Sequence, residues 1–381
     1  VIHISTTIFD YIDWRGDLPF SKSPFCSVDA LIFTELSYLD YSGIVPSPEE
    51  GGAISLKEAS KLFFQKNPQG EIKLGAIMPS KIVDLLKKAA ACHRYESLNI
   101  SRFVNIIDTK AEKQFSALCI NLDEKSMFIA FRGTDDTIVG WREDFNMFFK
   151  APVPSQLNAS EYLNNAGESF VGKLIVGGHS KGGNLAVWAA SHCSPEVTDR
   201  ILAVYNFDGP GFSVDYRSTD SYKALKSRIR TIVPECSVVG MFLEHEEKYL
   251  VVKSDRKGIA QHDALSWRVL GKSFEYASDL SPEMKQINCI LASWINNMDN
   301  SRREKFTESF FGLLDSTKAA TLSDLMKSKR ALLKAITSAD AETRQALFSA
   351  FKLLLGEGKK SLAEWLKKPP QKTIEQGNLQ V

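Results

Sequence analysis

The segment Gly178-His179-Ser180-Lys181-Gly182 sets a hydroxyl between two glycines. The apolar run Leu174-Ile175-Val176 precedes it, and Gly183-Asn184-Leu185-Ala186 follows as the opening of a helix. A strand-to-helix turn of this kind is so tight that only glycine lets the chains pass two residues either side, and it pushes the serine hydroxyl into the open. The chemistry available to Ser180 is nucleophilic attack, provided that a base takes its proton. The bare pattern recurs by chance, and its weight comes from the strand before and the helix after. Close strand-helix packing is the plain structural use of the same glycines. A phosphate loop would need lysine before the serine, whereas Lys181 follows it.

Six histidines limit the search for the base. His3 is terminal, His93 and His192 fall at expected helix ends, and His179 belongs to the turn, where its ring should point away from the neighbouring hydroxyl. His262, in Gly258-Ile259-Ala260-Gln261-His262-Asp263, lies in a loop after the last expected strand, the position a base needs. His245, in Glu244-His245-Glu246-Glu247, reads as a solvated turn. The acid that orients the imidazole should fall between serine and histidine, and two residues there end strands: Asp208 in Asn206-Phe207-Asp208-Gly209-Pro210-Gly211-Phe212 and Glu235 in Ile232-Val233-Pro234-Glu235-Cys236. Asp208 sits in the stiffer turn, Glu235 after the more usual strand, and a turn-capping role is the plain use of an aspartate before glycine. For a tetrahedral oxyanion the amide of Lys181 comes with the turn, at the positive end of its helix. Phe131-Arg132-Gly133-Thr134, after the strand Met127 to Ala130, offers the second donor through the amide and hydroxyl of Thr134.

These residues carry a resemblance. Phe131-Arg132-Gly133-Thr134 with Trp141 and Asp144, together with Gly178 to Ala186, is similar to the signature of class 3 (fungal-type) lipases. Asn206 to Phe212 and Gln261-His262-Asp263 more closely resemble an uncharacterised bacterial family of lipase-like α/β-hydrolase proteins, from Asp10-Tyr11-Ile12 onward. The resemblance implies Ser180 as nucleophile, His262 as base, and Thr134 with Lys181 as oxyanion hole. Those lipases place leucine after the serine and aspartate beside the Val-Pro of the later strand, where this chain has Lys181, and Glu235 or Ser237. A lysine beside the nucleophile suggests attraction of an anionic head group.

The elements that must position these residues can be read coarsely. Apolar steps of three and four over residues 28 to 41 and 79 to 92 predict amphipathic helices, and the opening hundred residues read as mainly helical. Phe103 to Ile107, Phe115 to Leu122 and Met127 to Phe131 read as an antiparallel run, with turns at Thr109-Lys110 and Asp123-Glu124. Helices over Glu161 to Phe170, Gly183 to His192 and Tyr222 to Ile229 then alternate with strands over Lys173 to Val176, Ala203 to Phe207, Arg230 to Val233 and Tyr249 to Lys253. Such alternation predicts a mostly parallel sheet covered on both faces, the α/β-hydrolase fold. After Leu280 only helix patterns remain, at Pro282 to Asn296, Glu304 to Leu314, Leu322 to Ile336 and Ala341 to Leu355. The expected organisation is a hydrolase domain over 1–279, with a helical lead-in over 1–100 and a core over 101–279, followed by a helical extension over 280–381. The lead-in and the extension are expected to cover the mouth of the site as a lid.

With 47 Lys+Arg against 46 Asp+Glu among 381 residues, no global field favours nucleic acid. Residues 301–381 hold 15 basic against 9 acidic side chains, so this tail carries +6 and the first 300 residues −5. The tail is a candidate surface for acidic partners or for peripheral contact with a membrane. Six scattered cysteines without CxxC spacing read as reduced core thiols, and no metal or cofactor is called for. No apolar run is long enough to span a membrane, and the amino end shows no basic segment leading into an apolar one, so a cytoplasmic location is expected. The expected function is a serine hydrolase of esterase or lipase type acting on a small-molecule or lipid ester. A catalytically silent binding or scaffold protein on the same fold is the alternative.

Overall fold

Polar turn residues close the antiparallel part of the sheet. Asp108 accepts from the amides of Lys110 and Ala111, and Asp123 from the Lys125 amide and the Ser126 hydroxyl. The computed structural model describes residues 5–68, 79–147, 149–282, 284–286, 300–317, 319–321 and 324. Among these, nine strands form one sheet: β1 (Ile54–Ser55), β2 (Asn99–Asp108), β3 (Lys113–Asn121), β4 (Ser126–Phe131), β5 (Lys173–His179), β6 (Ile201–Phe207), β7 (Ile229–Pro234), β8 (Tyr249–Val252) and β9 (Tyr276–Ala277), in that spatial order. Strands β4 to β8 are parallel neighbours, while β1 to β4 and β8 to β9 pair antiparallel. The chain is therefore an α/β protein with a mixed, mostly parallel central sheet.

Side chains alternate across that sheet as the two-residue period requires. Phe128, Ala130 and Ile175 point to a face covered by α1 (Ile8–Arg15), α2 (Ser27–Leu36), α3 (Leu56–Lys66) and α4 (Lys81–Ala89). Met127, Ile129, Phe131, Leu174 and Val176 point to the face covered by α6 (Pro154–Glu168) and α7 (Lys181–His192), while α5 (Ile138–Asn146) follows β4. Covered on both sides, the central strands become continuous apolar runs.

Several elements differ from expectation in their bounds. β5 continues through Gly177 and Gly178 to His179, because both glycines stay in register with β4 and β6. α6 starts seven residues before Glu161, since Pro154 fits its first turn and the Gln156 side chain accepts from the Val153 amide. The two-residue β1 is too short to leave an alternation in the sequence. In the tail, helix Asn300–Ser316 includes the expected Glu304 to Leu314, whereas most of Pro282 to Asn296, nearly all of Leu322 to Ile336, all of Ala341 to Leu355, and Cys289 lie outside the described residues. No described helix is long and apolar enough to cross a membrane.

α2 is not a cover that can lift away. Nine of its residues, Val28 to Leu36, are buried, and they pack on the sheet below the site, which corrects the lid expectation for this part of the lead-in. Asp29 at its start lies fully inside and accepts from Arg94 Nε at 2.8 Å and Nη2 at 2.7 Å, from the Tyr95 hydroxyl at 2.5 Å and from the Cys26 amide at 2.9 Å. Removing one partner of a buried ion pair leaves an uncompensated charge. Asp29→Ala is expected to lower unfolding free energy by about 3–5 kcal/mol in urea titrations; a loss below ~1 kcal/mol would mean that Arg94 finds other acceptors without cost.

Candidate active site

Three neighbouring parallel strands end level with one another, Phe131 of β4 beside Gly178 of β5, and His179 of β5 beside Phe207 of β6. The loops that leave these ends carry Thr134, Ser180 and Asp208. Their shared carboxyl edge is where open α/β sheets place ligands.

Ser180 joins β5 to α7 with φ 57° and ψ −131°, a left-handed backbone that non-glycine residues adopt only when the surroundings enforce it. The enforcement is steric and polar. A Cβ on Gly178 would stand 2.1 Å from the Gly182 carbonyl, and one on Gly182 would stand 2.1 Å from the Phe131 oxygen. The Ser180 amide donates to the Phe207 oxygen at 2.9 Å, and the Gly183 amide donates to the Ser180 oxygen at 2.9 Å. The side chain of Ser180 is left partly exposed, and its hydroxyl makes no hydrogen bond among the described residues.

His262 ends the short helix Gly258–His262, and its Nδ1 lies 2.6 Å from Asp208 Oδ2. Asp208 is fully buried, whereas the imidazole is 26% exposed. The Ser237 hydroxyl donates to the other Asp208 oxygen at 2.5 Å, and a Cβ on Gly240 would stand 2.3 Å from that same atom. Glu235 makes no hydrogen bond to His262; its amide and carbonyl serve β8 and the Ser281 amide. The structure thus brings His262 together with Asp208, at the end of β6, and leaves Glu235 apart. The residue after the Val-Pro strand that reaches this carboxylate is Ser237.

The loops are cross-tied by side chains that the sequence did not single out. Asn184 of α7 donates to the carbonyls of Pro210 and Gly211 at 3.1 Å each, and accepts from Gln156 at 2.9 Å, so the helix after the serine clamps the turn after Asp208. Gln261 accepts from the Cys236 amide at 2.8 Å, and its carbonyl accepts from Trp267 Nε1 at 2.8 Å, fixing the residue before His262. Buried amides next to a turn are the available signal for such clamps, and nothing in the spacing distinguishes them from surface amides.

Two expectations are overturned. His245 is not in a solvated turn: its side chain is buried, with Nδ1 3.1 Å from Glu247 Oε1 and Nε2 donating to the Gly240 carbonyl at 2.5 Å. Burial would raise the Glu247 carboxyl, but hydrogen bonds from His245, Thr231 and Tyr222 hold it down at about 2. Lys181 does not face a substrate. Its ammonium is buried, donating to the Gln114 carbonyl at 2.8 Å, the Gln114 side chain at 2.7 Å and Glu143 Oε2 at 3.0 Å. Glu143 also accepts from the amides of Gln114 and Ser155, so this lysine ties β3, α5 and α6 to the turn and has no free charge for an anionic head group. The main-chain amide of Lys181, in the first turn of α7, is unaffected by where its side chain goes.

Thr134 is buried, and its hydroxyl donates to Asp144 Oδ2 at 2.6 Å. Burial raises the Asp144 carboxyl to about 7 despite Lys181 and the Thr134 hydrogen bond. Among the described residues there is no group of three or more His, Cys, Asp or Glu side chains arranged to hold a metal ion.

Fold and site together define an α/β protein with a serine at a glycine-flanked strand-helix turn and, one strand over, a buried aspartate paired with a part-exposed histidine. The Mbeg1-like family profile matches residues 89–312, and the chain belongs to the Mbeg1-like family. No curated protein matches the sequence. Solved structures that resemble it weakly include the native Rhizomucor miehei lipase propeptide complex, at 18% identity and TM-score 0.32 over 41% of this chain and 57% of that one. A deletion mutant of the same complex matches at 16% identity and 0.33 over 46% and 58%, and the crystal structure of M37 lipase at 15% and 0.33 over 66% and 83%. The chain spans less than two thirds of the length of the Rhizomucor miehei chains it matches.

Two outcomes follow from the buried charges. Lys181→Met strands Glu143 and is expected to cost about 3–5 kcal/mol of stability in urea unfolding, while leaving any preference between anionic and neutral esters unchanged; an altered preference without loss of stability would contradict the placement of the side chain. Asp144 binds its proton more tightly folded than unfolded, so its contribution is fully present below the unfolded value near 4 and is lost as pH rises toward 7. The stability of Asp144→Asn relative to the parent is therefore expected to rise between pH 4 and 7 and then level off; a pH-independent difference would contradict the raised value.

Proposed function

We propose that this chain is a serine hydrolase of esterase or lipase type, cleaving carboxylic esters, lipid esters included, through an acyl-enzyme on Ser180. The Asp208–His262 contact at 2.6 Å, beside a serine held in a left-handed turn, is the observation that carries the reading. Ser180 Oγ attacks the ester carbonyl as His262 Nε2 takes its proton, and Asp208 holds the ring so that Nε2 is the free nitrogen and the imidazolium that forms is stabilised. The oxyanion takes hydrogen bonds from the main-chain amides of Lys181 and Thr134. His262 gives the proton to the leaving alcohol; water then attacks the acyl carbon with His262 again as base, releasing the acid and restoring Ser180. No metal or cofactor takes part in this scheme. A cytoplasmic site of action and peripheral membrane contact through the basic tail belong to the same proposal, supported by the free cysteines and the charge asymmetry of the sequence.

One observation favours a catalytically silent scaffold instead: the Ser180 hydroxyl is not hydrogen-bonded to His262. Catalytic hydrogen bonds are often loose without substrate and tighten only in the complex. A fluorophosphonate probe separates the two readings. The hydrolase reading expects a covalent adduct on Ser180 by mass spectrometry, abolished in Ser180→Ala, and turnover of a p-nitrophenyl ester reduced roughly 10³–10⁴-fold in Asp208→Asn. Absence of both labelling and turnover in the folded parent supports the scaffold.

A further inference from the structure

The ring of His179 bonds to Tyr38 and to the His262 main chain, and the hydrolytic scheme gives it nothing to do. It is nonetheless enclosed and fully engaged. Its Nε2 lies 2.9 Å from the main-chain oxygen of His262, its Nδ1 lies 2.9 Å from the Tyr38 hydroxyl, and its ring centre is 4.6 Å from that of His262. A carbonyl oxygen only accepts, so Nε2 carries the hydrogen. Burial, with the neighbouring His262 adding to it, keeps the imidazole well below its ordinary pKa, so the ring is neutral and Nδ1 holds a lone pair. The His262 carbonyl thus selects the tautomer, and the Tyr38 hydroxyl, which also lies 3.4 Å from the His179 carbonyl, complements it by donating to Nδ1.

Tyr38 follows the end of α2 and touches more than His179. A Cβ on Gly133 would stand 2.2 Å from its hydroxyl oxygen and 2.5 Å from the His179 carbonyl, so the glycine of the Thr134 loop leaves the space that this phenol fills. Glu35, one turn earlier on α2, brings Oε1 to 3.7 Å from His179 Nδ1 and is buried, with its carboxyl pushed up by desolvation and by Asp263. At 3.7 Å its oxygen is beyond hydrogen-bond reach of Nδ1, which leaves the Tyr38 hydrogen bond in place. The titratable groups facing His179 are thus Tyr38 and Glu35 from α2 and His262 from its loop, with Asp263 acting on Glu35.

We propose that Tyr38 and His179 are positioning residues: the phenol holds the His179 ring at Nδ1, His179 Nε2–H holds the His262 main chain in place, and the same phenol fills the space beside Gly133 in the loop that bears Thr134. The α2 segment is then part of the catalytic apparatus. The proposal rests on the serine-hydrolase reading for its kinetic consequence and on geometry alone for its structural one, and the experiment separates the two. Side-chain ¹⁵N NMR of the full chain is expected to show His179 as the Nε2–H tautomer without titration between about pH 5.5 and 8.5. In Tyr38→Phe, with far-UV circular dichroism unchanged, the His179 Nδ1 signal should move to that of a ring nitrogen without a hydrogen bond and the His262 ring resonances should shift. The fluorophosphonate labelling rate should fall about tenfold, the loss of one buried hydrogen bond. His179→Gln keeps an amide N–H near the position of Nε2 and should retain more labelling than His179→Leu, which a purely space-filling role would not predict. Parental labelling rates in both Tyr38→Phe and His179→Leu, with His262 resonances unmoved, would overturn the proposal. If the parent itself does not label, the hydrolase reading fails, and the His179 Nδ1 signal and the His262 shift in Tyr38→Phe still decide the positioning claim.

Discussion

A serine held at positive φ between a strand and a helix is the constraint on which the rest of this structure depends. That backbone is unfavourable for a residue with a Cβ, and it persists because the chain around it is packed without slack. Gly178 and Gly182 admit the crossing segments, the Phe207 carbonyl takes the Ser180 amide, and β4, β5 and β6 reach the turn in register. The turn could not be tight if the strands ended at different levels. Because they end together, the loops that carry Thr134, Ser180 and Asp208 meet at one edge.

Electrostatics around the turn follows one rule: charges that stabilise the scaffold are buried and matched, and the group open to solvent is the imidazole. Lys181 is matched by Glu143 and Arg94 by Asp29, while Glu247 accepts from the Thr231 and Tyr222 hydroxyls. Glu35 and His179 are instead kept neutral by burial. Asp208 is the buried carboxylate whose partner, His262, reaches the surface. Pairing fixes the orientation of that ring, and the clamps from Asn184 and Gln261 fix the loops on either side.

Fold class was legible from the sequence because its signals are local. The alternation of strand and helix patterns after Phe103 predicts a mostly parallel sheet, and the turns at Thr109-Lys110 and Asp123-Glu124 mark the hairpins. Ser180, His262 and an acid, Asp208 or Glu235, could be read as a set because each ends or follows a strand in an order that hydrolytic chemistry requires, and the choice between the two acids was not legible. What was not legible depends on direction and enclosure. Nothing in the string of letters shows that the Lys181 side chain turns inward to Glu143, or that His245 within three glutamates is buried. Tyr38 carried no signal, since a tyrosine in an apolar run reads as core, and its role exists only because α2 packs beneath the β5 edge. Spacing within one element can be read; which way a long side chain turns when two elements meet cannot.

The most direct test of the central claim is a crystal structure of the full chain after reaction with a small alkyl phosphonate. The account predicts a phosphorus–oxygen bond to Ser180 Oγ, with the phosphoryl oxygen roughly 2.7–3.1 Å from the amides of Lys181 and Thr134 and His262 Nε2 turned toward the serine oxygen. An unmodified Ser180, or a phosphonate attached to another nucleophile while the Asp208–His262 pair stays intact, would contradict it.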